Sequence, residues 1–311
     1  MGDPKRDTYE GRPFARPGEE LVDQGLGFDI GTVMRRRQVL RAFGLGAAVL
    51  GLAAACSDDL DGGTASSASG TPSGGTASGE IPDETAGPYP GDGSNGPDVL
   101  NQSGIVRSDI RSGFGTASGT AGGVPMALEL SIVDMAGGRP FAGVAVYVWH
   151  CDREGRYSLY SPGVTDQNYL RGVQIADAQG KVRFTSVFPA CYDGRWPHIH
   201  FEVYPDQASI TDATKAIATS QVALPKDVCD TVYATSGYSA SVANLARVTL
   251  QDDMVFGDDG GALQLGTVTG SATAGYSVAL TAKVDTRTTP TGGGAPGGGP
   301  GGPGGGPPPS R

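Results

Sequence analysis

Apolar and polar residues alternate with a period of two through the middle of the chain, most regularly at 126–132 and 181–187. This period matches a β-strand, because successive side chains of a strand point to opposite faces. The apolar run 144–149 is rich in β-branched and aromatic residues and predicts another strand, and Gly-containing turn signals separate these segments. Helical patterns are restricted to 226–234 and 239–246. We therefore expect an all-β fold, a β-sandwich with short helical decorations.

Low-complexity segments bound this alternating region on both sides. The chain contains 51 Gly in 311 residues, which is more than twice the average usage of about 7%, and the excess is concentrated in these segments. Residues 56–80 offer little to bury and predict a flexible Gly/Ser/Thr tether, whereas residues 289–311 predict a disordered Gly/Pro tail. One folded domain, 81–288, remains between them, and its length of about 200 residues is sufficient for a single core.

An export signal is predicted ahead of the tether. Residues 34–55 join an arginine cluster to an apolar stretch that is too short to span a bilayer, which is the layout of an export signal. The paired arginines, followed by Val39 and Leu40, resemble a twin-arginine signal. A short buried helix is the alternative for this segment. Residues 1–33 show no apolar period and are either a long n-region or residues ahead of a true start at Met34.

Cys56 directly follows this signal and ends the run Leu-Ala-Ala-Ala-Cys, which resembles a lipobox with Ala53 where leucine is more usual. A lipid on Cys56 would anchor an exported, extracytoplasmic protein to the membrane, and without it the protein would be secreted. Three cysteines remain, Cys151, Cys191 and Cys229. An exported protein permits one disulfide among them, and burial as three small hydrophobic residues is the alternative. The sequence favours no pair.

Charge and hydropathy exclude two classes of protein. The chain has 23 Lys and Arg against 33 Asp and Glu, a formal net charge of −10. Because no basic surface is available for phosphate, a typical nucleic-acid-binding protein is excluded. No apolar run reaches the roughly 18 residues that a membrane-spanning helix requires, which excludes a polytopic membrane protein.

The chain contains only three histidines, and two of them form the triplet His198-Ile199-His200. In a strand, side chains at positions i and i+2 lie on the same face about 6.6 Å apart, a spacing that allows two imidazoles to bind one metal ion. Glu202 continues this face, whereas the intervening apolar residues face the core. The triplet therefore predicts a polar face that lines a site. We interpret the third histidine, His150, as a structural neighbour of that site.

Two motifs contain tyrosines upstream of this triplet. A Gly-Arg-Tyr run ending at Tyr157 follows one strand, and a Tyr-x-x-Arg-x-x-His-x-His motif begins at Tyr192 and leads into another. This pattern resembles the intradiol ring-cleavage dioxygenases. Residues 84–89, 106–110 and 170–172 are similar to further segments of that family, so the resemblance covers most of the predicted domain. The short loop between the second tyrosine and the histidines resembles the exported branch of the family.

The resemblance implies a prealbumin-like sandwich that binds a single non-haem Fe(III) ion through Tyr157, Tyr192, His198 and His200. The chemistry of these donors agrees with that implication, because phenolate is a hard anionic ligand for a trivalent ion and imidazole also binds iron well. A free tyrosine titrates near about pH 10. Only a strongly Lewis-acidic metal would therefore hold two phenolates at neutral pH.

Three catalytic residues are also implied by the resemblance. The fixed positive charge of Arg195 would stabilise negative charge that develops during attack by O2, and the alternative is a solvated arginine or a partner for Asp193. Tyr192 would leave the metal when substrate binds. Gln221 would lie near the substrate, and an ordinary strand residue is the alternative at this position.

The implied reaction is the cleavage of a catechol-type ortho-diphenol by O2 to a cis,cis-muconate-type product, which leaves the preferred catechol and the oligomeric state open. Two alternatives come from other classes of protein. A cupin-like metalloenzyme would use His198, His200 and Glu202 to bind Fe(II), Zn or Cu. A non-catalytic prealbumin-like surface or carbohydrate-binding module is suggested by the segments 138–144 and 177–180.

Overall fold

The computed structural model describes residues 79–290 and two short strands near the start, β1 (Thr8–Tyr9) and β2 (Arg12–Pro13), which pair antiparallel. The predicted export signal, the predicted lipid-anchor residue Cys56 and nearly all of the predicted tether and tail lie outside the described residues. Within the described part of the chain, no helix combines the length and the apolar character that crossing a bilayer requires.

The domain is built mainly from strands. In chain order they are β3 (Pro125–Asp134), β4 (Arg139–Pro140), β5 (Ala145–Trp149), β6 (Arg171–Ile175), β7 (Lys181–Val187), β8 (His198–Tyr204), β9 (Ala218–Ala223), β10 (Thr267–Ser271) and β11 (Gly275–Val284). The helices are two 3-10 turns, Gln207–Thr211 and Ala213–Lys215, followed by α1 (Lys226–Tyr233) and α2 (Ser239–Leu245). The all-β prediction is confirmed, and both predicted helices form at the predicted places.

The strands form two sheets. In the first, β11 lies between β10 and β3 and pairs with β3 in parallel, while β4 and β7 pair antiparallel with β3. The second sheet is antiparallel throughout, in the order β6-β5-β8-β9. The histidine strand β8 is therefore a central strand, flanked on both sides by hydrogen-bonded neighbours.

One hydrophobic core lies between the two sheets. From the first sheet, β3 contributes Leu128 and Leu130 in the alternation that the sequence predicts, and from the second sheet, β8 contributes Ile199 and Phe201. Burial of each such side chain contributes about 1.5–3 kcal/mol to stability. We call this set of residues the main core.

A second hydrophobic cluster covers the opposite face of the second sheet. It includes Tyr147, Trp149, Tyr157 and Tyr204, and we call it the outer cluster. Because both faces of the second sheet are covered, all seven residues of β8 are buried. The polar face of this strand is consequently enclosed in the protein.

Arg171, at the start of β6, lies in this outer region and is 1% exposed. Its guanidinium donates to the hydroxyl of Tyr147, to the hydroxyl and carbonyl oxygens of Ser158, and to the carbonyl oxygens of Tyr89 and Pro90, over 2.6 to 3.1 Å. Arg171 therefore ties the segment that precedes β3, and the loop that precedes β6, to the second sheet.

The three cysteines of the domain, Cys151, Cys191 and Cys229, are buried free thiols. Burial raises the pKa of the Cys191 thiol to about 12, so the reactive thiolate is disfavoured. In residues 79–290 the alternative of three small buried residues describes the structure, and none of the three forms a disulfide.

The substitution Arg171→Met is expected to lower the free energy of unfolding by about 3 kcal/mol, because the buried carbonyl oxygens of Tyr89 and Ser158 would lose their donor. Urea denaturation followed by circular dichroism measures this loss. Arg183→Met is the matched control, since Arg183 is 60% exposed in its ion pair with Glu129 and should contribute less than about 1 kcal/mol. Equal losses in the two variants would contradict the stabilising role of Arg171.

Candidate metal centre

Three segments bring the predicted ligands together. β8 carries His198 and His200, Tyr157 lies in the loop between β5 and β6, and Tyr192 lies in the loop between β7 and β8. The two loops touch at Gly155, which has a φ of +86°. A Cβ at this position would lie 3.2 Å from the Cβ of Tyr192. Glycine at 155 therefore permits both the left-handed backbone and the close approach of the two tyrosine loops.

The four predicted ligand atoms lie close together. Nε2 of His198 is 3.1 Å from Nε2 of His200, 3.2 Å from the hydroxyl oxygen of Tyr192 and 3.5 Å from that of Tyr157. Metal–ligand bonds of about 2 Å keep neighbouring ligand atoms about 3 Å apart. Both histidines and Tyr157 are each 2% exposed, whereas Tyr192 is partly exposed. These separations suit four ligands of one ion.

Hydrogen bonding gives His198 the protonation state of a ligand. Its Nδ1 lies 2.5 Å from the carbonyl oxygen of Trp196 and must be the donor, so Nε2 presents its lone pair to the site. Burial, together with the charge of Arg195, lowers the pKa of His198 to about 3. Burial and the neighbouring His198 also hold the pKa of His200 well below its usual range. Both imidazoles are therefore neutral.

The two tyrosines are neutral as well in the absence of a cation. Burial raises the pKa of Tyr157 well above its usual value, and it raises the pKa of Tyr192 in the same direction. The set therefore consists of two neutral imidazoles and two phenols that a strong Lewis acid would deprotonate, and this donor chemistry fits a ferric ion.

Glu202, which the cupin-like alternative requires as a ligand, accepts a hydrogen bond from the hydroxyl of Tyr204 at 2.8 Å. In residues 79–290, no group of three or more His, Cys, Asp or Glu side chains is placed to hold a metal. His198, His200 and Glu202 therefore do not form such a group. His150 is also engaged elsewhere, because its ring nitrogens bond to the hydroxyl of Ser186 and to a backbone carbonyl.

Arg195 is buried beside the site, and its partner differs from the one weighed in the sequence. Its Nε and Nη2 donate to the carboxylate of Asp253 at 2.9 and 3.3 Å. Asp193, the partner considered from the sequence, is paired with Arg247 instead. The charge of Arg195 acts on both candidate tyrosine ligands and favours their phenolate forms.

Gln221 lies next to Arg195 in the structure. It is directly opposite His200 in the pairing of β8 with β9 and is fully buried. Its Oε1 accepts from Nη2 of Arg195 at 2.7 Å, and its Nε2 donates to the carbonyl oxygen of Thr85 at 3.1 Å. Both ends of this amide are therefore engaged by residues around the centre.

Sequence reasoning missed three residues that shape the centre. The indole of Trp149 stacks on His200 at 4.8 Å between ring centroids and 8° between planes, and Tyr89 stacks on Tyr157 at 4.8 Å. Trp149 ends a predicted strand and Tyr89 lies in a segment that resembles the family, so both had a sequence signal. Asp253 had no sequence signal, because it follows α2 in an irregular segment.

A family model, Dioxygenase_C, described as Dioxygenase, matches residues 95–208, a range that contains the four candidate ligands and Arg195. A chlorocatechol 1,2-dioxygenase of Rhodococcus opacus is 38% identical over 56 residues, which cover 18% of this chain and 22% of that protein. A catechol 1,2-dioxygenase of Pseudomonas sp. (strain EST1001) is 40% identical over 70 residues, which cover 22% of each chain. The chain thus spans 22% of the length of these curated relatives.

The fold is also found in a solved structure, an intradiol ring-cleavage dioxygenase from Tetranychus urticae. It superimposes with a TM-score of 0.55 at 21% identity, over 68% of this chain and 98% of that one. This likeness concerns the fold, and the family match adds sequence similarity over the range that contains the candidate ligands. Residues 95–208 thus match the dioxygenase family model, and the described domain has the fold of an intradiol ring-cleavage dioxygenase.

Proposed function

We propose that this protein is a non-haem Fe(III) intradiol dioxygenase that cleaves the ring of a catechol-type ortho-diphenol with O2. The observation that carries the proposal is the convergence of two phenol oxygens and a second imidazole nitrogen within 3.5 Å of Nε2 of His198. The names of the curated relatives, catechol and chlorocatechol 1,2-dioxygenases, support the same substrate class.

Tyr157, Tyr192, His198 and His200 would hold the iron, and both phenol protons must leave when it binds. When bound, the ferric ion would supply a Lewis acid that holds both oxygens of the diol and makes its ring reactive towards O2. The protein contributes a largely buried, preformed ligand set whose imidazoles are already in the neutral state that coordination requires.

The two tyrosines are suited to different roles. Tyr157 is enclosed and stacks on Tyr89, whereas Tyr192 is partly exposed to solvent. We assign Tyr192 as the residue that would leave the metal when the diol binds. Burial raises the pKa of Tyr192, so its phenolate would then be a base strong enough to accept a hydroxyl proton from the diol.

Arg195 would stabilise negative charge on the substrate. Its cation is fixed by Asp253 and Gln221 before substrate arrives, and it is buried, so its field is weakly screened. In the balanced reaction, the bond between the two hydroxylated carbons breaks and both atoms of O2 enter the product. The product is a cis,cis-muconate-type dicarboxylate, and two protons are released.

Protein loaded with Fe(III) is expected to absorb visible light through phenolate-to-iron charge transfer, and Tyr157→Phe is expected to abolish or shift that band. Tyr160→Phe is the matched control in the same loop, because the Tyr160 hydroxyl bonds to Gly91 and Asn95. Absorption spectra and bound-iron analysis measure the result. An unchanged band in Tyr157→Phe would remove Tyr157 from the ligand set.

The iron-loaded domain is expected to consume O2 in the presence of catechol, protocatechuate or hydroxyquinol and to form a ring-opened dicarboxylate. An oxygen electrode measures uptake, and mass spectrometry with 18O2 measures the incorporation of both atoms. A protein that binds no iron and opens no ring would instead favour the non-catalytic prealbumin-like module.

We also propose that the protein is exported and anchored to the membrane through a lipid on Cys56, because an export signal and a lipobox-like run precede a long tether. In the native host, the full-length protein is expected in the membrane fraction and to be released only by detergent. The Cys56→Ser variant should appear in the soluble fraction. Immunoblots of both fractions measure this, and identical distribution of the two proteins would refute the anchor.

A further inference from the structure

The carboxylate of Asp253 is buried, at 2% exposure, in the irregular segment that follows α2. Its Oδ2 accepts from Nε of Arg195 at 2.9 Å and from the backbone N–H of Trp196 at 2.7 Å. Its Oδ1 accepts from Nη2 of Arg195 at 3.3 Å and from the backbone N–H groups of Val255 and Phe256 at 2.9 and 3.2 Å. The Asp253 side chain thus accepts hydrogen bonds from two segments of the protein, 195–196 and 255–256.

We propose that Asp253 is a positioning residue for the metal centre, which orients the Arg195 guanidinium directly and the His198 ring through Trp196. The proposal rests on the proposed ring-cleavage function. Asp253 touches none of the four candidate ligands in the contacts described above, so its effect passes through its two neighbours.

Asp253 orients Arg195 directly. Asp253 bonds to the Nε and Nη2 side of the guanidinium, and Gln221 bonds to the same Nη2. Burial alone would raise the pKa of Asp253, but the charge and hydrogen bonds of Arg195 hold it below its usual value, so the carboxylate is ionised. The arginine is therefore fixed in orientation, and part of its charge is balanced before any substrate binds.

Asp253 orients His198 through Trp196. Asp253 fixes the N–H of Trp196, and the proline at 197 restricts Trp196 to an extended backbone conformation. With its N–H held and its backbone restricted, Trp196 directs its carbonyl oxygen at Nδ1 of His198, 2.5 Å away. That bond determines which nitrogen of His198 carries the proton and which faces the other ligands.

The turn around Asp253 makes it rigid enough for this role. The N–H groups of Val255 and Phe256, two and three residues further along the chain, hold Oδ1 in place. The orientation of the Asp253 carboxylate is therefore determined by its own backbone. That orientation in turn positions Arg195 and the N–H group of Trp196.

The first experiment compares Asp253→Asn with Asp193→Asn in the iron-loaded full-length protein. Asp193 is the matched control, because it is an exposed partner of Arg247 in the same loop as Arg195. We expect Asp253→Asn to lower kcat by 10- to 100-fold, as is typical of residues that orient metal ligands, with a smaller change in KM and a shifted charge-transfer band. Asp193→Asn should match the wild type. Wild-type kcat and spectrum in Asp253→Asn would overturn the proposal.

Asp253→Asn leaves Arg195 as a buried cation without its partner, and such a variant can fail to fold. The second experiment compares Arg195→Gln with Arg195→Gln/Asp253→Leu. In the single variant the Asp253 carboxylate keeps its three backbone N–H donors, and the double variant contains neither buried charge. The readout is the 15N NMR spectrum of the metal-free protein labelled at its three histidines. We expect His198 to keep its Nδ1–H tautomer in Arg195→Gln and to lose it in the double variant.

Identical His198 spectra in these two variants would overturn the proposed effect of Asp253 on His198. Because this measurement uses neither iron nor substrate, it separates failure of the proposal from failure of the proposed function. An inactive, colourless wild type that still shows the expected tautomer change would refute ring cleavage alone. An active wild type without the tautomer change would refute the positioning role alone.

Discussion

The candidate centre depends on one strand that is buried on both faces. The period of two in β8 sends Ile199 and Phe201 into the main core and His198 and His200 into the outer cluster. A slip of one residue would exchange these faces, so the main core holds the register that brings the two imidazoles together. Trp149, on the neighbouring strand, stacks on the ring of His200 and covers it. The same packing that stabilises the sandwich therefore preorganises the ligands.

Burial also determines the charge of the centre before a metal arrives. It lowers the pKa of both histidines and raises the pKa of both tyrosines, so all four groups are neutral. Folding consequently does not require four charges to be buried together, which would cost far more than packing could offset. Negative charge on the ligands would appear only with the metal, because binding a ferric ion displaces the two phenol protons.

The sequence predicted the parts of the molecule that local patterns encode. The alternation of apolar and polar residues predicted strands of the sandwich, and the spacing of His198 and His200 indicated that their side chains share a face. The two tyrosines lie on loops, and no local pattern states where a loop will lead, so they were recognised only through their resemblance to the family. The partner of Arg195 could not be predicted, because Asp193 is near in sequence whereas Asp253 is near in the fold. Nor did the sequence choose between a disulfide and three buried thiols, since the spacing of cysteines does not report their distances in the fold.

The pair of Arg195 and Asp253 is difficult to explain by stability alone. Taking both charges out of water costs several kcal/mol per ion, and well-packed apolar residues of similar volume often give equal or greater stability. In this fold, the pair lies beside the four neutral candidate ligands and adds an oriented field with no net charge. Gln221 extends the same network to the strand next to His200. The buried cation of Arg195, fixed in orientation by Asp253 and Gln221, can stabilise an anion beside it, and this property would serve the proposed reaction, which develops negative charge on its substrate.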